Sequence, residues 1–147
     1  MYRGINAINV DEKGRIALPT RYREDLFAVV VTIDTEEKCL LMYPVADWEE
    51  IEEKIESLPS FNQAARRVQR LLIGHATELS LDNNGRIVLP QLLRDYAGLE
   101  KQVMLVGQGK KFEIWSAQQW EARRTEWLNT GTTAIDVLPV ELQTLSL

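Results

Sequence analysis

The chain repeats itself. Asp11, Gly14, Arg15, Ile16, Leu18 and Pro19 recur as Asp82, Gly85, Arg86, Ile87, Leu89 and Pro90, each 71 residues further on. Arg23 recurs as Arg94 at the same offset, whereas Tyr43 and Trp48 are answered by Trp115 and Trp120 at an offset of 72, so a single-residue insertion or deletion lies between. Seven identities at one spacing exceed what turn-making requires. A tight turn asks for Asp and Gly, but not also for Arg, Ile, Leu and Pro at the same places twice. A chain of 147 residues with this pattern folds as two small modules that share a core, one copy in each half.

Each copy reads as strand, glycine turn, strand, short helix, two strands and a longer helix. Residues 5–10 alternate loosely and end in Asp11-Glu12-Lys13-Gly14, after which Arg15 to Leu18 resumes as a second strand. The glycine at the last turn position predicts a three-residue hairpin with a bulge. Pro19 stops that strand, and Thr20 caps a short helix through Leu26. Strands follow at 29–33 and 39–43, then a helix at 46–57 with Trp48, Ile51 and Ile55 on one face. The second copy predicts a hairpin at 78–89, a helix at 91–97 ended by Gly98, strands at 103–107 and 111–115, and a helix at 117–128. A helix from Phe61 to Ile73, ended by Gly74, joins the copies, and the tail from Gly131 reads as an arm or a terminal helix.

The hydrophobic fraction of 45% fills a core, to which all four tryptophans, Trp48, Trp115, Trp120 and Trp127, are assigned. The longest apolar run, Phe27 to Val31, is far too short to cross a bilayer, and the N-terminus shows no secretory signal, so a cytoplasmic protein is expected. Cys39 is the single cysteine, which excludes an internal disulfide and argues against a metal cage; its apolar neighbours predict a buried thiol. Net charge is −5, but it is unevenly placed. Residues 34–57 hold nine acids against Lys38 and Lys54, whereas residues 61–76 hold Arg66, Arg67 and Arg70 and no acid. Because binding depends on the local field, an acidic total leaves a nucleic-acid partner open.

Asp11 lies opposite the Gly14-Arg15 bulge in the expected hairpin, where its carboxylate can accept turn N–H groups or hold the Arg15 guanidinium. An arginine held in place suits a planar pair of acceptors, such as guanine O6 and N7 in a major groove, or a phosphate. Lys13 and Arg15 project from one ribbon of a width the groove accepts. Asn84 replaces Lys13 beside Arg86, and it either reads an adenine edge or serves the Asp82–Gly85 turn. The plainer alternative makes Asp and Gly turn formers and both arginines solvated strand residues. Arg66, Arg67 and Arg70 share a helix face, to pair with Glu49, Glu50, Glu52, Glu53 and Glu56 in one chain or across a subunit boundary, or to touch phosphate. His75, the only histidine, reads as a helix-end residue. No paired base and nucleophile, metal set or phosphate loop points to an enzyme.

Asp11-x-x-Gly14-Arg15-Ile16 with Pro19, doubled at Asp82 to Pro90, resembles the swapped-hairpin DNA-binding fold of the SpoVT-AbrB class. Arg3-Gly4, Pro19-Thr20-Arg21-Tyr22-Arg23, the run Arg66 to Ala76, and Val103 to Gln108 narrow the resemblance to the MraZ family, across essentially the whole chain. The resemblance implies an α+β fold of two tandem swapped-hairpin modules forming a double-psi-like β-barrel with flanking helices. The modules fall at 5–47 and 76–119, with connecting helices at 48–75 and a C-terminal helix and tail at 120–147. It further implies a transcriptional regulator on the nucleoid, binding direct repeats upstream of the division and cell-wall gene cluster, its own gene included. Ring-shaped homo-oligomers, double-stranded DNA as partner, and no cofactor, metal, membrane or small-molecule substrate complete the expectation. Lys13, Arg15, Asn84 and Arg86 would meet DNA, and Asp11, Gly14, Asp82 and Gly85 would set the turns.

Overall fold

The computed structural model describes residues 1–130 and 140–145. They divide into two compact units, Met1–Ala117 and Gln118–Leu147. The first holds eight strands: β1 (Tyr2–Asn9), β2 (Arg15–Ala17), β3 (Ala28–Ile33), β4 (Leu40–Pro44), β5 (Thr77–Ser80), β6 (Arg86–Val88), β7 (Gln102–Gly109) and β8 (Phe112–Ser116). All pairings are antiparallel, in a mixed α+β architecture.

Strands from the two halves interleave. Six of them form one sheet in the order β1-β7-β8-β4-β3-β5, and β2 pairs with β6 in a separate ribbon. β1 of the first half pairs over its whole length with β7 of the second, while β5 of the second pairs with β3 of the first. Exchanging the first four strands for the last four maps the sheet order onto itself, so the duplication is an approximate two-fold symmetry of the connectivity. Neither sheet closes among the described residues, and β1 and β5 are open edges. The architecture is compatible with the expected α+β class, whereas the double-psi-like barrel is not closed by backbone pairing among the described residues, and the ribbon meets the sheet through side chains.

The two local hairpins are corrected. Each glycine turn forms, with Gly14 N–H donating to Asp11 O at 3.0 Å and Gly85 N–H to Asp82 O at 2.9 Å. Beyond it the strands part, because β2 and β6 pair with each other. Ile16 stands opposite Ile87 in that ribbon, and both are essentially fully buried. A three-residue strand has one core-facing side chain, and facing its copy lets each isoleucine cover the other. Leu18 and Leu89 extend the contact into a core with Val29, Val31, Leu40, Met42, Val103, Leu105, Phe112 and Ile114. Alternation along β3 sends Val30 to the opposite sheet face, where it meets Leu41, Tyr43 and Trp48.

Short helices join the strands. α1 (Thr20–Arg23) begins after Pro19, so Thr20 is its first residue and not its cap; no side chain caps it. α2 (Val45–Glu56) buries Trp48 and Ile55. α3 (Gln63–Val68) starts later than the sequence suggests, because the Asn62 side chain accepts the Ala65 N–H and fixes the start there. A π-helical turn, Gln69–Ile73, follows, and Gly74 stays helical with φ −60°, so it does not end the segment. α4 (Gln91–Ala97) does end at Gly98, which takes the left-handed conformation.

The second unit begins within α5 (Ala117–Thr130) and contains α6 (Val140–Gln143). Trp48 and Trp115 are buried, but Trp127 is 40% exposed, against its assignment to the core. α5 has no buried residue, so Trp127 instead packs edge-on to Trp120 at 6.1 Å and beneath the Arg123 guanidinium. The tail expected from Gly131 lies largely outside the described residues. No helix among them is long and apolar enough to cross a membrane.

Removing the isoleucine contact tests the exchange. Ile16→Ala or Ile87→Ala is expected to lower unfolding free energy by about 2–5 kcal/mol in denaturant titrations. A loss below about 1 kcal/mol would show that the ribbon is not part of the core.

Candidate nucleic-acid interface

Asp11 brackets its turn completely. Oδ1 accepts the backbone N–H of Lys13 at 3.0 Å and of Arg15 at 2.8 Å, while Oδ2 accepts Nε of Arg15 at 2.6 Å. Asp82 repeats the arrangement with Asn84 N–H at 2.9 Å, Arg86 N–H at 2.9 Å and Arg86 Nε at 2.8 Å. The chain can curl this tightly because Gly14 and Gly85 have φ of 80° and 71°, a region costly for residues with a Cβ. Turn N–H donation and guanidinium holding, alternatives on sequence grounds, occur together on one carboxylate.

The bracket sets the electrostatics. The Arg15 backbone N–H, followed by its side chain and the Lys13 N–H, holds the Asp11 carboxyl below the usual carboxylate range against a smaller effect of burial. Asp82 is lowered in the same way by Arg86 and Asn84. Both carboxylates are therefore ionised near neutral pH, and each fixes its arginine through Nε alone. Nη1 and Nη2 of Arg15 and Arg86 make no hydrogen bond among the described residues. Their side chains are 26% and 32% exposed. Each offers a two-pronged donor whose direction is already set.

Strand exchange brings the two brackets together. Arg15 stands opposite Val88 and Ala17 opposite Arg86, so these four residues share the face of the ribbon away from Ile16 and Ile87. The arginines are diagonal neighbours, about 7–8 Å apart at Cα in such a pair. Val88 is 51% exposed between them. Lys13 and Asn84 are exposed at the two turns, and neither side chain is bonded among the described residues. The Asn84 backbone N–H, not its side chain, serves the turn. Close by, Arg94 and Arg23 lie against Gly14 and Gly85 respectively. The duplication pointed to these two arginines without indicating what they touch, because the contact is with the other half.

Other sequence candidates fall elsewhere. Arg66, Arg67 and Arg70 are exposed and make no ion pair among the described residues, so pairing with the α2 glutamates within the chain does not occur. Instead, Gln69 Nε2 donates to Ile55 O at 3.1 Å, a neutral link between the two helical segments. His75 sits at the helix end, with Nδ1 2.7 Å from Leu71 O. Cys39 is buried, and burial together with Glu113 and Asp34 pushes its thiol pKa up. Asp34, Cys39 and Glu113 are the one cluster of three potential metal ligands among the described residues. Their chemistry fits a metal poorly: the thiol stays protonated and donates to Asp34, and Glu113 accepts Trp115 Nε1 at 2.8 Å.

The family described as "MraZ protein, putative antitoxin-like" matches residues 1–71 and again 72–134. The chain is 57% identical to the protein named Transcriptional regulator MraZ from Legionella pneumophila strain Corby, over the full length of both chains. Proteins of the same name from Coxiella burnetii strain RSA 493 and Halorhodospira halophila are 59% and 51% identical, again over both full lengths.

The brackets carry a pH signature. A carboxylate whose folded pKa lies below its unfolded value contributes stability above the unfolded pKa of about 3.9, and loses it as pH falls through the folded value. NMR titration of the Asp11 and Asp82 carboxyl carbons should therefore give midpoints below about 3.9, with Arg15 and Arg86 Nε–H signals lost over the same range. A midpoint at or above the ordinary value would contradict the bracket.

Proposed function

Since the chain belongs to the MraZ family, we propose that it is a sequence-specific DNA-binding transcriptional regulator whose paired Asp–Arg brackets enter the major groove. The observation that carries this reading is the outer face of the β2–β6 ribbon, where Arg15 and Arg86 lie side by side with free terminal nitrogens. A two-stranded ribbon fits the width of the groove. A guanidinium held at Nε and open at Nη1 and Nη2 matches guanine O6 and N7 in two parallel hydrogen bonds, with little side-chain entropy left to lose. Lys13 and Asn84 flank the ribbon, one as a phosphate contact and the other as a donor–acceptor amide suited to an adenine edge. The exposed Val88 supplies apolar contact beside them. In the finer reading, modules 5–47 and 76–119 form a swapped-hairpin fold of the SpoVT-AbrB type, and the DNA sites are direct repeats upstream of the division and cell-wall genes, including its own.

Homo-oligomers, built as rings on the nucleoid, extend this proposal. Support comes from two opposite charge clusters that form no ion pair among the described residues: Arg66, Arg67 and Arg70 on one segment, and Glu49, Glu50, Glu53 and Glu56 on α2. Between copies each cluster would neutralise the other. Several brackets on one assembly then gain effective concentration on repeated sites, so binding depends on the number and spacing of repeats.

Gel retardation with a duplex from upstream of the chain's own gene tests the DNA reading. Arg15→Ala is expected to remove repeat-specific retention, each lost base contact being worth about 1–3 kcal/mol, while the circular dichroism spectrum and assembly size are unchanged. Specific retention that survives this change would refute the assignment. For the assembly, Arg66→Glu with Arg70→Glu is expected to yield a smaller species by light scattering, and mixing with a Glu50→Lys, Glu53→Lys chain to restore size. Wild-type mass in both charge-reversed chains would exclude this interface.

A further inference from the structure

Arg23 and Arg94 recur with the motif, yet neither belongs to a bracket. Each is half-buried, and neither forms an ion pair among the described residues. Arg94 Nε donates to Leu89 O at 2.9 Å, and its guanidinium occupies the space where a Gly14 side chain would begin. A methyl group there would stand 2.7 Å from Cζ and 2.9 Å from Nε of Arg94. Leu89 in turn donates its N–H to Gly14 O at 2.9 Å. One residue of the second half, Leu89, is thus bound through its N–H to the first half's turn and through its C=O to the arginine that roofs it. The other half mirrors this: Arg23 Nε donates to Leu18 O at 2.7 Å, Leu18 N–H donates to Gly85 O at 2.9 Å, and Arg23 lies against Gly85.

We infer that Arg94 is the positioning residue for the Asp11–Arg15 bracket and Arg23 for the Asp82–Arg86 bracket, so that each module's contact arginine is aimed by the other module. The inference rests on the proposed DNA-binding role of the brackets. Glycine is needed at 14 and 85 for two reasons at once, the positive φ and the space the opposing guanidinium fills. The roof demands arginine. A fixed Nε donor anchors the plane, and the plane covers the turn, whereas lysine offers one mobile ammonium and no plane. Loosening Arg94 frees the Gly14 corner and with it the direction in which Arg15 is held, although Arg94 lies in the half that carries Arg86.

The crossed assignment is what the test reads. In full-length protein, Arg94→Gln is expected to speed hydrogen exchange of the amides of residues 13–15 while leaving 84–86 unchanged, and Arg23→Gln to do the reverse. Loosening of the variant's own half, or of neither turn in a folded variant, overturns the inference. On the upstream-repeat duplex, at salt low enough to keep weak variants measurable, Arg94→Gln added to Arg15→Ala should weaken binding no further than about twofold. Added to Arg86→Ala, the two losses should multiply. Arg94→Lys is the gentler variant should the glutamine variant fold poorly. It retains the charge, so wild-type binding with unchanged turn amides would mean that charge alone is needed and the roof is not. If the unaltered protein does not prefer the repeat duplex to a scrambled one, the DNA reading fails, and the exchange measurement still decides the crossed positioning.

Discussion

Ile16 and Ile87 bury each other at the centre of the β2–β6 ribbon, and the remaining geometry follows from that contact. Because the two isoleucines face inward, Arg15, Ala17, Arg86 and Val88 must face outward, since successive side chains of a strand alternate. Pairing across the halves also forces the first strand of each half away from its own second strand and onto the other half's sheet partner. A single apolar pair thereby fixes both the exchange of strands and the composition of the exposed face. Two weak local turns become one site.

Electrostatics then refine what packing has placed. Each aspartate spends one oxygen on backbone N–H groups and the other on Nε of the arginine four residues on. This division leaves the guanidinium neutralised on its inner side and unsatisfied on its outer side. The chain's net charge of −5 does not conflict with such a site, because the acids are concentrated at residues 34–57, away in sequence from the brackets. Around the ribbon Lys13, Arg15, Arg86, Arg23 and Arg94 outnumber Asp11, Glu12 and Asp82 by two. A locally positive, partly apolar surface is the result.

The helical segments have a different character. α2 and the π-helical turn close the far face of the sheet with Trp48, Leu72 and Ile73, and the buried Thr32 hydroxyl donates to Leu72 O at 2.7 Å. Glu49, Glu50, Glu53 and Glu56 of α2 and Arg66, Arg67 and Arg70 are exposed and form no ion pair among the described residues. Core attachment through neutral contacts leaves both clusters at the surface.

Local chemistry made much of this readable from the residues alone. The 71-residue repeat, the glycine turns, the strands after each short helix and the helix ended by Gly98 all follow from short-range rules, because φ preferences and alternation act over a few residues. The same rules found Asp11, Arg15, Asp82 and Arg86 as a motif. They misassigned Thr20, Gly74 and Trp127, whose environments are set by neighbours or by the continuation of a helix, not by propensity. What only the tertiary structure decided is which strand pairs with which. A duplicated sequence offers each strand two near-identical partners, one in its own half and one in the other. The choice between them rests on how completely Ile16 and Ile87 can be buried, a property of the assembled core that no window of sequence contains. That choice put Arg15 beside Arg86 and laid Arg94 over Gly14.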